Sequence, residues 1–270
     1  MKLSQGPQRQ TVNPDWLVPQ WPTPAHVHAL CTTRAGGRSV APYHSLNLGE
    51  HVGDHPADVA ANRAVLHQAM DAQPVFLSQV HGARAVSLSD NTAQGTQADG
   101  CTTDKSRVAC TIMVADCLPV LLTNEQGSLV AAAHAGWRGL VGQGGHGILE
   151  AVLENFNPLA TVDSAYHASK IIAWLGPCIG RQAFEVGNDV RDVFVAHDRS
   201  ALAMFTPQTG GKWLADLQGL ARLRLAALGV SQIYGNDGSQ PWCTVSNPSR
   251  FFSHRRDRVS GRMAACIWLD

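Results

Sequence analysis

The chain has 270 residues and carries 21 Lys and Arg against 21 Asp and Glu, so its formal net charge is zero. No charge surplus is available to hold it on a polyanion or an acidic membrane, which argues against nucleic acid and lipid surfaces as main partners. Apolar residues make up 44% of the chain, enough for an ordinary core, and no uninterrupted run approaches the roughly 20 apolar residues of a membrane helix. The seven cysteines include no Cys-x-x-Cys and are odd in number, which argues against a disulfide framework and a thiol-redox pair. With no secretion-like leader, a reduced, cytoplasmic protein is expected. No linker-like stretch divides the chain, so the expectation is a flexible arm over 1–24 and one domain over 25–270.

The arm is rich in Pro and Gln, has no period, and offers Trp16 and Trp21 for packing. His26 to Thr33 alternates as a strand. Its His26-Val27-His28 triplet puts two imidazoles on one face, a spacing shared by metal pairs and by ordinary polar-face histidines. Arg34 to Asp54 is glycine-rich, polar and too long for a simple turn; it reads as a functional loop, with Arg34 and Asn47 as its candidate binding groups. A structural helix is predicted from Pro56 to Met70, with Val59, Leu66 and Met70 on one face. Val75 to His81 reads as a strand, Val86 to Leu88 as its hairpin partner, and Asn91 to Gly100 as a polar loop.

The stretch from Val108 to Gly139 organises the rest. Two apolar runs, separated by the turn-like Asn124-Glu125-Gln126-Gly127, predict neighbouring buried strands. Each ends on a residue that binds metals or does nucleophilic chemistry, Cys117 and His134. The Asp116-Cys117-Leu118-Pro119 step predicts a strand end or bulge, because Pro119 has no ladder donor. Beyond His134, Gly142, Gly144 and Gly147 match G-x-G-x-x-G, but only the following helix fits a dinucleotide site. A glycine-rich helix entry beside Arg138 could still offer N–H groups to an anion.

Asn157 to Lys170 reads as a loop and Ile171 to Leu175 as a buried strand ending in a tight turn at Cys178. Two core-facing helices follow, one carrying Val186, Val190 and Phe194, the other Leu214, Leu217, Ala221, Leu225 and Leu228, with Gly229 as its C-cap. Short strands at Gln232 to Tyr234 and Ala264 to Leu269 bracket a loop with a basic cluster, Arg250, Arg255, Arg256 and Arg258. These suit phosphate or carboxylate better than RNA, given the neutral chain and its few tyrosines.

His81, Cys117 and His134, each at a strand end, have the composition of a three-ligand zinc site with one open position, which in enzymes activates water. The same residues also suit a Cys117 nucleophile activated by His134. Spacing alone does not choose between them. The metalloprotease H-E-x-x-H and the deaminase H-x-E with P-C-x-x-C are both missing.

Several segments in order resemble the YfiH-type family, also described as laccase-domain or multicopper polyphenol oxidase-like proteins and as purine nucleoside phosphorylases. They are TTRAGGRS, SLNLGEHVGD with Asn62-Arg63, SQVHGARAV, QADG, ADCLPVLL, AAHAGWRGL, GPCIG with FEVGNDV, and FFSHRRDRVSGRMAACIWL. The resemblance implies a single-domain α/β (α+β) sandwich, with a mixed β-sheet core and flanking helices, like the catalytic domain of the cytotoxic necrotizing factors. It places metal ligands on His81, Cys117 and His134.

The implied activity is phosphorolysis of adenosine, inosine and methylthioadenosine to base and sugar 1-phosphate, with adenosine deamination. Other descriptions attached to the family are copper-dependent polyphenol oxidation and peptidoglycan editing. The cofactor expected is one zinc per chain, with copper as the competing ion. Arg34, Asn47, Arg138 and Arg255 are the candidates for substrate or phosphate, and Asp116 for the acid that releases ammonia. His254 stands where the family commonly has Tyr.

Overall fold

The computed structural model describes residues 12–156 and 170–270. Thirteen strands among these residues form two large sheets and a small one. In the first large sheet the order is β1 (Val27–Cys31), β13 (Met263–Leu269), β5 (Val108–Val114) and β2 (Gln73–Phe76), with only the β2–β5 pair parallel. The second runs β12 (Gln232–Gly235), β8 (Ile171–Leu175), β6 (Leu118–Asn124), β7 (Val130–Ala135), β4 (Gly100–Thr103) and β3 (Ala85–Ser87). Three short strands, β9 (Glu185–Val186), β10 (Phe205–Pro207) and β11 (Trp213–Ala215), form the small sheet.

The period-two alternation of side chains sorts these strands into layers. On β5, Val108, Cys110, Ile112 and Val114 share one cluster with Leu121, Val130, Ala132 and Trp174 of the second sheet, while Ala109 and Met113 turn away from it. The two large sheets therefore pack face to face. Ala109, Met113, Ala264, Cys266 and Trp268 meet Leu66 of α1 (Pro56–Gln68). On the far side, Val120, Leu122, Ala131 and Ala133 meet helices α2 (Ile148–Glu154), α3 (Asn188–His197) and α4 (Leu217–Ala227). The result is one mixed α/β domain, helix–sheet–sheet–helix, in which both faces of each central strand are covered. That is why these strands read as continuous apolar runs.

Several expectations are revised. Val86 and its neighbours do not form a hairpin with residues 75–81: β3 pairs in parallel with β4 in the second sheet. Gln73–Phe76 is the observed strand, and beyond it the Gln79 amide bonds both the N–H and the C=O of Met113, replacing the ladder with a side chain. Val186 and Leu214 lie in β9 and β11 rather than in the helices that follow them. Pro119 sits inside β6, opposite His134, where β8 has already ended at Leu175, so its missing donor is not needed. His26 and His28 have separate partners, Gly127 and the stacked Trp268.

The turn at Asn124 closes with the Gly127 N–H donating to the Asn124 carbonyl (2.9 Å), as its composition suggests. Trp16 is buried and Leu17 bridges to Cys31, so residues just past 12 pack on the first sheet. The predicted loop from Asn157 falls, up to residue 169, outside the described residues.

Candidate metal centre

The alternation that layers the sheets also aims the two central candidate ligands. On β7, Val130, Ala132 and therefore His134 point between the sheets, and Cys117, just before β6, packs against the same cluster. Both residues sit where the strands end, so their functional atoms reach an opening while their backbones stay in the sheet. His81 arrives from a loop with φ of 62°, and Asp116 has φ of 94°, conformations uncommon outside glycine.

The donor atoms of His81, Cys117 and His134 lie within 4.8 Å of one another, the one such triad of His, Cys or carboxylate groups among the described residues. His81 is exposed, Cys117 half-buried and His134 buried. The two imidazoles meet edge to face with centroids 4.7 Å apart. Nδ1 of His134 lies 2.8 Å from Asp99 Oδ1, which leaves Nε2 for the cluster. A Cβ on Gly136 would come 2.9 Å from the Cys117 sulfur and 3.3 Å from His81 Cδ2, so only glycine lets the chain pass behind the triad.

Electrostatics separates these groups from their ordinary values. Burial pushes the Cys117 thiol up, but His134 and His81 outweigh it and bring it down to about 6. Burial likewise opposes the charged form of His134, and the Cys117 thiolate with Asp99 outweighs it, raising the imidazole to about 9. The Asp99 carboxyl also resists its own burial; the hydrogen bond from His134 and the N–H groups of Gly82 and Val80 hold it below the usual carboxylate range. A thiolate and two imidazoles with an open side form a donor set suited to zinc, or to copper where copper is available. Zinc bonds of about 2.0–2.3 Å to all three donors would need them slightly closer together than 4.8 Å.

The triad opens onto a cavity of about 470 Å³, a volume typical of small-molecule sites. Trp137, Phe184, Arg138, Arg255 and Arg262 are among its walls, with His51 and His254 also lining it. Arg138 lies over the Trp137 ring (4.4 Å) and Arg255 over Phe184 (5.7 Å), so two aromatic rings each carry a guanidinium at the cavity.

A family model described as multi-copper polyphenol oxidoreductase laccase matches residues 28–270. The chain belongs to this laccase family. Laccase-family relatives include the Escherichia coli K12 protein named purine nucleoside phosphorylase YfiH, 47% identical over 94% of this chain and 98% of that protein. A purine nucleoside phosphorylase of Pseudomonas aeruginosa is 45% identical over the same shares. Among solved structures, a Neisseria meningitidis protein is similar at a TM-score of 0.84 and 43% identity, covering 95% of this chain and 99% of that one. The Bacillus licheniformis protein YfiH is similar at 0.79 and 30%, covering 90% and 93%.

In this laccase-family fold, the residues singled out from sequence divide into two groups. His81, Cys117, His134, Asp116, Arg138 and Arg255 line the cavity. Arg34 and Asn47 do not. Arg34 donates to the carbonyls of His44 and Pro248 (both 2.8 Å), and Asn47 is buried, accepting from the N–H groups of Gly49 and Arg262. Together with Asn62 of α1, which donates to Ser39, Ser45 and Asn47, they fold the glycine-rich loop that delivers His51. Asp116 accepts from Thr244 (2.5 Å) and from the Arg255 N–H (2.6 Å), tying the start of β6 to the closing basic loop. In that loop, Arg256 donates to the carbonyls of Thr244 and Phe251 and pairs with Asp257, and so holds the loop's shape.

Asp99, His51, Arg262 and Phe184 were not singled out from sequence. Only Asp99 left a signal: a lone acid between small residues where a polar loop enters a buried strand, a place where a carboxylate needs a partner.

Proposed function

We propose that the chain is a metal-dependent purine nucleoside phosphorylase, acting on adenosine, inosine and methylthioadenosine, that also deaminates adenosine. The observation that carries this reading is the open His81–Cys117–His134 triad at a cavity whose aromatic walls each bear an arginine. The names of the relatives support it. One zinc held by the triad would supply Lewis-acid catalysis and an activated water.

The protein's own groups do the remaining work. Phosphorolysis joins phosphate to the sugar carbon as the carbon–nitrogen bond to the base breaks, so an anion must be held beside a carbon that becomes cationic. Arg138, exposed and engaged only by the Trp137 ring among the described contacts, and Arg255 are the groups we assign to phosphate. Trp137 and Phe184 line the cavity beside their arginines and supply apolar surface for the base. In deamination, water replaces the amino group, and Asp116, anchored at the cavity by Thr244, is assigned the proton that leaves with ammonia.

Incubation with adenosine, inosine and methylthioadenosine, with and without phosphate, tests the reading. Expected products are base and sugar 1-phosphate only when phosphate is present, plus inosine from adenosine. Absence of all of these with folded, metal-replete protein would sink the proposal.

One observation favours a second reading. A thiol lowered to about 6 beside His134 is what a cysteine nucleophile for an amide, such as a peptidoglycan precursor, requires. A substrate-derived adduct on Cys117 during turnover, seen by mass spectrometry, would decide for it. The copper-dependent oxidase and a non-catalytic purine-binding module are met by the same assays: metal analysis finding three or four coppers per chain, or purine binding without product.

A further inference from the structure

We infer that Asp99 is a positioning residue that assembles the metal site before any ion arrives, fixing both histidine arms from one buried carboxylate. The inference rests on reading His81, Cys117 and His134 as metal ligands. Asp99 is fully buried, and among the described residues no Lys or Arg pairs with it. Four N–H groups surround it instead. Oδ1 accepts from His134 Nδ1 (2.8 Å) and from the His81 backbone (2.8 Å); Oδ2 accepts from the backbones of Val80 (3.1 Å) and Gly82 (2.8 Å).

Three consecutive backbone N–H groups turned onto one acceptor form the kind of concave cradle that usually binds an external anion. Here the anion is the protein's own side chain. Val80 is 52% exposed and His81 is exposed too, so side-chain packing does little to hold this loop or the positive φ of His81. The carboxylate supplies that restraint. At its other end it takes Nδ1 of His134 and so turns Nε2 toward Cys117. The backbone agrees, because the His134 N–H donates to the Asp99 carbonyl (2.7 Å), linking the two residues at the mouth of β4 and β7. Asparagine cannot replace this carboxylate: its amide has one acceptor oxygen, and its NH₂ would face N–H donors.

The test begins on the metal-free wild type. Amides of Val80, His81 and Gly82 should exchange at least about 10²-fold more slowly than other exposed loop amides, and ¹⁵N-resolved spectra should show the His134 Nδ1 proton held in a hydrogen bond and exchanging slowly. In Asp99→Asn, zinc affinity measured by chelator competition should fall about 10–100-fold, with the loop protection and the His134 signature lost while β5 and β6 amides stay protected. Asp99→Glu, which keeps the carboxylate acceptors, should recover part of the affinity; a merely structural role would not track the acceptors in this way. Fast exchange of the three amides in the wild type would overturn the inference, as would a folded Asp99→Asn protein binding zinc within about threefold of wild type. If that variant does not fold, the wild-type exchange of the three amides and of the His134 Nδ1 proton decides alone. A wild type that binds no zinc would sink the metal reading, whereas the exchange measurement would still judge the anchor.

Discussion

Two groups of cysteines sit in this protein a few strands apart and have opposite chemistry. Between and behind the large sheets, Cys31, Cys110 and Cys266 are enclosed in the core, and burial pushes each thiol up, Cys266 to about 12. At the strand ends, Cys117 faces the same penalty but has two imidazoles beside it, and comes down to about 6. Desolvation is common to both regions; the neighbouring partners decide the sign. A cysteine in the sheet is a small apolar side chain, while one residue before a strand, beside two imidazoles, it carries the lowered thiol that metal binding and nucleophilic attack both need.

The sharpest way to break this contrast is Cys117→Ala. If the thiolate is a ligand, metal content and activity should fall together, activity by about 10³-fold or more, as when one member of a catalytic unit is removed. Retained metal with lost turnover would instead make Cys117 a nucleophile. Next in size is Gly136→Ala, whose new methyl would press on both Cys117 and His81. Displacing reacting groups by about 1 Å can cost on the order of 10²-fold, and kcat should carry the loss while the fold, followed by circular dichroism, remains.

Alkylation compares the thiols directly. In metal-free protein, iodoacetamide should label Cys117 with a rate that rises through about pH 6, because the folded thiol is depressed and thiolate is present above that value. At neutral pH this should exceed labelling of an ordinary thiol about tenfold or more, with Cys31, Cys110 and Cys266 unlabelled until unfolding and zinc protecting Cys117. Peptide mapping reads the sites. The pair leaves stability nearly independent of pH around 7.5, since there the folded state holds one proton on His134 and the unfolded state one on the thiol.

The smallest effects separate binding from scaffold among the arginines. Arg138→Ala should raise the KM for phosphate about tenfold with little change in kcat, the scale of one charged hydrogen bond. Arg34→Ala should leave that KM unchanged and lower stability by about 0.5–1.5 kcal/mol in denaturant unfolding, through loss of its solvent-exposed hydrogen bonds to the His44 and Pro248 carbonyls. A large KM change for Arg34→Ala with none for Arg138→Ala would reverse these assignments.

Much of this was legible in the chain. Continuous apolar runs announced buried strands over 108–135 and at Ile171–Leu175, because strands covered on both faces need no polar side, although three strands in two sheets, β5, β6 and β7, stand where two neighbours were expected; Cys117 and His134 announced a site near strand ends. Composition also carried the turn at Asn124 and the cap at Gly229, since both depend on local backbone preference.

What only the tertiary structure decided was partnership. Local alternation identifies a strand but not its neighbour, so Val86 was assigned to the wrong sheet and Arg34 could not be told from Arg138. The role of Asp99 depends on four N–H groups drawn from two distant stretches, and a carboxylate acquires such donors only when folding brings them together. Residue type and period are properties of short windows, whereas burial, hydrogen-bond satisfaction and shifted pKa are properties of neighbours, and the close packing of two sheets alone determined which neighbours these are.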